Sequence, residues 1–254
     1  GEYRLMVSLI EIKAYLGIST TDDSHDYILN IFIQAAIDAI ETYCGRRFEL
    51  REYKMDRHDG DGTRRLMLNQ WPVVSVERIA MSTVGALNID GTSSGGYTAT
   101  VEVTRDEGDP RESSQLKLII HGGANDGTLT ESFATHTTLT ALATQVTTET
   151  GWSAAAVSGY GAYKSTELIP TGAFDAGTAQ VVLEVPYDWE TEYTVDFKSG
   201  EVGGLTFPRG FQNIFVDYTA GFSRIPADLE LTVMQIVADL QSGRTVNRAL
   251  RSEK

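Results

Sequence analysis

A chain of 254 residues, 41% hydrophobic and 22% charged, has the makeup of a folded globular protein with room for one large domain or two ordinary ones. Its formal charge of −14 disfavours sequence-specific binding to nucleic acid, and a single cysteine, Cys44, rules out an internal disulfide framework. No apolar run approaches the roughly 18–20 residues that a bilayer crossing requires, the start lacks the basic-then-apolar pattern of a secretion signal, and Gly1 in place of Met suggests a trimmed end.

Ser8-Leu9-Ile10-Glu11 opens the first predicted helix as a capping box, with Ser8 as N-cap and Glu11 reaching back to its amide. Leu9, Ile12 and Leu16 then share a face, and Gly17 supplies the left-handed residue that stops the helix. The Thr20-Thr21-Asp22-Asp23-Ser24 cluster opens a second helix, with carboxylates at its positive end. Ile28, Ile31, Phe32, Ala35, Ala39 and Tyr43 form one apolar stripe on it, and Ile33, Ile37, Ile40 and Cys44 form a neighbouring one. So wide an apolar surface predicts burial against a neighbouring subunit. Cys44, lying in this pattern, is expected to be a buried and inert thiol. The run Tyr43-Cys44-Gly45-Arg46-Arg47-Phe48 closes the helix at Gly45.

Strand-like runs follow at Glu49–Met55 and Arg64–Leu68, flanking Asp59-Gly60-Asp61-Gly62, which reads as a hairpin turn. Trp71-Pro72 breaks the chain before a strand at Val73–Ile79. From Val84 to Asp188 the texture changes to Thr, Gly and Ala, with strands expected at Tyr97–Thr104, Gln115–His121 and Ala179–Pro186 and a short helix at Thr138–Thr148. These 105 residues are enough to fold alone. Strand character returns at Tyr193–Phe197 and Ile214–Thr219, and Pro226 suits the first position of a last helix. That helix carries Leu229, Val233, Ile236, Val237 and Leu240 on one face, and Gly243 is expected to end or loosen it.

Charge divides along the same lines. Residues 84–188 hold 13 acidic and 4 basic side chains, net −9, against 22 and 17, net −5, elsewhere. The last eleven residues reverse sign, and Arg244, Arg248, Arg251 and Lys254 read as a docking segment for an acidic partner.

Catalytic and metal chemistry find no support in the sequence. His25, His58, His121 and His136 are scattered, with no HExxH-like spacing and no cysteine partner for zinc. Asp56–Gly62 lacks the alternating ligands and final Glu of a calcium loop. His121–Gly127 is glycine-rich but has neither the following helix nor the lysine of a phosphate loop. No G-x-S-x-G elbow occurs. No cofactor is implied. Two other readings attach to residues 84–188: a binding module for a glycan or for a host or capsid surface, lined by Tyr97, Trp152, Tyr160, Tyr163, Phe174, Tyr187 and Trp189, and a hydrolase using Asp106, Glu107 or Asp109.

Taken in order, several runs resemble the head–tail connector (adaptor, or head-completion) proteins of tailed bacteriophages and prophages. They are Ile10–Ile18, Asp22-Asp23, Ile40–Phe48, Asp59–Gly62, Leu66–Leu68 and Trp71–Val76, then Tyr193–Asp196, Tyr218–Phe222 and Ile225–Leu229. The resemblance covers residues 1–83 and 189–254. It implies an α+β fold: a helical connector domain with about three main helices and a small antiparallel sheet, interrupted at 84–188 by a β-rich inserted domain with a short helix. It implies a structural virion protein rather than an enzyme, assembled in the host cytoplasm as a homo-oligomeric ring under the portal protein. The ring would link head to tail, meet a tail-completion or stopper protein, and pass DNA through its channel without sequence-specific or membrane contact. Ile33, Ile37, Ile40, Val233, Ile236 and Val237 are the expected subunit-interface residues, and Arg244, Arg248, Arg251 and Lys254 the expected portal contacts. Typical compact members lack the insert.

Overall fold

The computed structural model describes residues 6–92, 95, 98–105 and 112–252, with side chains through residue 243. In chain order the elements begin with helices α1 (Leu9–Leu16) and α2 (Asp26–Cys44) and strands β1 (Arg51–Gly60), β2 (Arg65–Met67) and β3 (Val73–Ala80). Strands β4 (Ser82–Asp90), β5 (Thr98–Arg105), β6 (Ser113–His121) and β7 (Gly127–Ser132) lead to helix α3 (Leu139–Thr148) and strands β8 (Ser153–Ala156), β9 (Phe174–Asp175) and β10 (Val181–Tyr187). The chain closes with β11 (Thr194–Asp196), β12 (Glu201–Gly203), β13 (Gly210–Ala220) and helix α4 (Ala227–Ser252). The fold is α+β, with four helices and small antiparallel sheets among the described residues.

Helix α1 starts as its residues dictate. Glu11 donates its amide to Ser8 Oγ at 3.3 Å, and the Ser8 amide donates to Glu11 Oε2 at 2.7 Å, so two end donors are satisfied together. Gly17 ends the helix at φ +69°. The second helix begins later than expected. Asp22 turns onto the Ser24 amide and hydroxyl, at 3.0 and 2.6 Å, so the polar cluster makes its own turn and His25 takes the N-cap position without a capping bond. What holds the start of α2 is Lys13, almost fully buried on α1, whose ammonium lies 2.5 Å from Asp26.

Leu29, Ile33, Ala36, Ile37 and Ile40 of α2 pack on Val233 and Val237 of α4, with Ile12, Met6, Val7 and Phe48 completing the cluster. Cys44, by contrast, is exposed, because it lies beyond the arc that α4 covers. Gly243 does not end α4 either; the backbone stays helical through Ser252. The carbonyl of Pro226 accepts the Leu229 and Glu230 amides, which fits its place at the head of that helix.

The expected Asp59–Gly62 hairpin is absent. Strand β1 pairs with β13 and β2 pairs with β12, so the segments flanking the turn join different sheets, ordered β1-β13-β3 and β11-β12-β2. The turn is instead gripped by a distant stretch: Gln212 donates its amide to Asp59 Oδ1 at 2.6 Å, and Gly60 donates to Asn213 Oδ1 at 3.0 Å. A local turn signature carries no information about a partner some 150 residues away.

The runs 43–48 and 216–222 meet. Phe222 donates its amide to the Phe48 carbonyl at 2.8 Å, the two rings stack at 6.4 Å, and Glu49 bridges to Phe222. Gly221 stands at φ +110°, and a Cβ there would collide with the Glu49 backbone, so only glycine allows this approach. The Arg46 guanidinium lies 4.8 Å from the ring centres of both Phe48 and Trp71 and donates to the Trp71 carbonyl at 2.9 Å. This is where the helices join the sheets.

Strand β3 passes into β4 with only Met81 between them, and β10 returns beside β4, pairing Tyr187 with Ser82. Between these points lie the sheets β10-β4-β8 and β7-β6-β5-β9 and helix α3. They enclose their own core, including Leu87, Val101, Leu116, Leu118, Leu142 and Leu183, and every member of that cluster falls between residues 84 and 185. Strands β4, β7, β8, β9 and β12 add to those expected from the sequence.

Candidate assembly interface

Of the two apolar stripes of helix α2, the one with Ile33, Ile37 and Ile40 is buried inside the chain, and the other is exposed except at the half-buried Ile28 and Phe32. Ile33, Ile37 and Ile40 are buried, the first only 3% exposed, against Val233 and Val237, while Ile236 is half-buried at the edge of the same cluster. In this fold these residues hold α2 to α4. The opposite stripe runs Tyr27, Ile31, Ala35, Ala39, Tyr43 at strict four-residue steps, the row along which a helix presents a continuous ridge. All five are exposed; Tyr27 is 82% and Tyr43 92% accessible. Two alanines at the centre leave a shallow saddle between the outer side chains. Ile10 and Tyr15 of α1 are exposed as well. Large accessible apolar side chains aligned in this way mark an interaction surface rather than a solvated face. Periodicity alone shows both stripes and cannot say which of them faces inward.

Near its C-terminus, α4 carries Arg244, Arg248 and Arg251 on helical backbone at three- and four-residue spacing, with side chains outside the described residues. Lys254 lies outside the described residues, as do Tyr97, Asp106, Glu107 and Asp109. The remaining aromatic candidates disperse. Trp152 is in the core, Trp189 packs against Arg78, and Phe174 is exposed on β9. Only Tyr160, Tyr163 and Tyr187 gather, with ring centres 5.3 and 6.1 Å apart.

Among the described residues no group of three or more His, Cys, Asp or Glu side chains is placed to hold a metal ion, and no helix is long and apolar enough to cross a membrane. His25 and His121 are exposed, and His136 lies 3.2 Å from Glu131. His58 is different, and spacing gave no sign of it. It is buried on β1, with Nε2 3.4 Å from Asp56 Oδ2. Asp56, also buried, accepts the Tyr218 hydroxyl at 2.6 Å and the Asn69 amide at 3.2 Å. Burial pushes the His58 imidazole down to about 4, so the ring is neutral at pH 7. The cluster ties β1, β13 and the loop after β2 together as a polar core of the sheet layer.

The exposed ridge therefore stands on an element that the sheet layer and α4 hold rigidly. Residues 6–83, which contain α1, α2, β1, β2 and β3, match the family model of phage gp6-like head-tail connector proteins. This part of the chain is similar to the head-tail connector proteins. The match ends at Thr83, where β3 has just given way to β4. No curated protein and no solved structure matches the chain. The exposed ridge of α2 lies wholly inside the matched residues.

Proposed function

We propose that the chain is a structural virion protein of a tailed phage that assembles as a ring under the portal, links head to tail and extends the DNA channel. The observation that carries this reading is the exposed Tyr27–Ile31–Ala35–Ala39–Tyr43 ridge inside the connector segment. A ring is a head-to-tail assembly, so each subunit presents two different complementary faces. The outer stripe of α2 is one of them. The half-exposed side of α4, with Leu231 and Leu240, is the candidate for the other. The basic end of α4 docks on the portal, an attraction that salt screens. Residues 84–188 form an inserted domain that leaves the connector at Met81 and returns at Asp188. The strand pairing of Ser82 with Tyr187 and the separate core support that division.

Sedimentation and native mass spectrometry, alone and with purified portal, test this reading. The parent chain is expected to form a closed oligomer or to bind portal at micromolar concentration. Ala35→Glu, placed in the saddle, is expected to abolish oligomer formation while leaving the circular dichroism unchanged. A parent chain that stays strictly monomeric and never associates with portal overturns the proposal.

A further inference from the structure

Residues 84–188 are attached to the rest of the chain by two strand crossings, at Met81 and at Asp188, and neither crossing alone sets an angle. What lies between the two parts is built around one side chain. Arg78 of β3 sits opposite Asp217 of β13 and donates through Nε to Asp217 Oδ2 at 2.6 Å. Its other arm donates through Nη2 to Glu167 Oε1 at 2.7 Å, in the short 3-10 turn Ser165–Glu167 of the 84–188 segment. Its flat face covers Trp189, 3.9 Å from the ring centre. One planar fork thus spans both parts, a geometry arginine offers and lysine does not.

Each partner is itself held. Asp217 is buried and accepts the Met55 amide at 2.6 Å through its second oxygen, where Met55 adopts φ +52° within a bulge of β1. Glu167 is buried, and its amide donates to the Lys164 carbonyl at 3.0 Å. Beside the fork, Ile169 of the segment packs with Trp189 on Met55, Ala80 and Phe215. Ile79 and Glu190 exchange both backbone hydrogen bonds, at 3.3 and 2.7 Å, directly under the returning chain. Burial works against the charge on Arg78, yet the two carboxylates hold its guanidinium above its ordinary affinity for the proton.

We infer that Arg78 is a positioning residue that pins the 84–188 segment to the connector body at one fixed angle. The segment then stands as a rigid arm, and every copy in an assembly presents it in the same direction. This rests on the reading of 84–188 as an inserted unit.

The test uses the full chain. Cys44 is exposed on the body and Thr130 is exposed on β7, so nitroxides on Cys44 and on Thr130→Cys report the distance between the two parts, with labelled chain diluted in unlabelled chain. The parent is expected to give one narrow distance. Arg78→Met is expected to lose it to a broad distribution, and Arg78→Lys to recover it only in part. Glu167→Ala leaves the Arg78–Asp217 bond in place, is the variant least able to disturb folding, and is expected to broaden the distance as well. Hydrogen exchange on the same variants separates the two ways of failing. Broadened distance with protection of β5 and β6 retained is the expected result. An unchanged narrow distance in both Arg78→Met and Glu167→Ala, or a broad distance already in the parent, overturns the pin alone. Parallel loss of protection in the segment and in α2 overturns the inserted-unit reading and the pin with it.

Discussion

The body and the 84–188 segment are stabilised by different means. In the body, Lys13, Glu41, Asp56, His58 and Asp217 are buried and each has a polar or charged neighbour within the fold. In the segment, Glu167 is the one buried ionisable side chain among the described residues, and it faces Arg78 of the body. Apart from Ser113 and Ser165, its other buried side chains are aliphatic and aromatic. Apolar packing is non-directional and tolerant of substitution, whereas buried polar pairs fix register and orientation at the cost of desolvation. In the proposed ring the body would hold the α2 ridge and the basic end of α4 in fixed relation. The segment has only to remain folded and keep its orientation at one seam. Different sensitivities to substitution and to acid follow.

The largest effect is expected in the segment's core. Leu118 is fully buried at the centre of β6, between β5 and β7. Leu118→Ala removes packing on both sides and is expected to cost about 3–4 kcal/mol. Hydrogen exchange should then show faster opening of β5, β6 and β10 while α2 and α4 keep their protection. Equal acceleration in the helices would mean that the two regions form one cooperative unit.

Acid should strike the body instead. The folded His58 imidazole is held near about 4 by burial, whereas the unfolded ring takes up its proton near 6.5. Between those values the unfolded chain binds a proton that the folded chain refuses, so stability is full above pH 6.5 and falls as pH drops towards 4. The expected loss across that window is about 3 kcal/mol. No histidine is buried among the described residues of the segment, so its opening should change far less. Urea unfolding of the parent and of His58→Gln at pH 7 and pH 4.5 checks this. The variant should show a flatter dependence, and an equal slope in both would remove His58 as the cause.

The same contrast explains what could be read from the residues alone. Signals that are local were legible: the Ser8 cap, Gly17 and Gly45 at helix ends, the short helix at 138–148, and the strand character behind β5, β6 and β10. That 40–48 and 218–222 belong together was legible only through the order of runs that resembles the connector family. What depended on distant partners was not. The Asp59–Gly62 turn looked like a hairpin because its true partner begins at Phe207. Asp56 finds Tyr218 across 162 positions and Arg78 finds Glu167 across 89, and no spacing rule reaches that far. The exposed ridge of α2 was visible as an apolar stripe, but its exposure follows from α4 covering the other side. Cys44 was misplaced for the same reason.

A mid-sized effect should come from Glu41, where a buried carboxylate closes the helix layer onto the sheets. It accepts Arg47 Nη1 at 2.5 Å and the Phe48 amide at 3.2 Å. Arg47 is half-exposed, so the ion pair itself is screened and contributes little. The Phe48 amide is the larger matter, because Glu41→Ala leaves it buried without a partner, at about 2 kcal/mol. Glu41→Gln keeps an acceptor for that amide and is expected to cost about half as much. If both variants melt alike in a thermal scan, the ion pair and not the amide controls the joint.

The smallest expected effects are in the two helix caps, and they should still differ between the regions. Ser8 works in a reciprocal pair with Glu11 at the start of α1. Ser8→Ala is expected to cost about 1 kcal/mol. Thr138 accepts the Ala141 amide at 3.2 Å, but the start of α3 is also tied by backbone: Leu139 donates to the Tyr163 carbonyl and Thr140 to the Gly161 carbonyl, both at 3.0 Å. Thr138→Ala therefore loses one bond from an end that remains anchored, and its cost should be about half that of Ser8→Ala. Matched denaturant melts of the two variants decide it. A Thr138→Ala loss as large as that of Ser8→Ala would show that side-chain capping, and not the surrounding backbone, sets the start of α3.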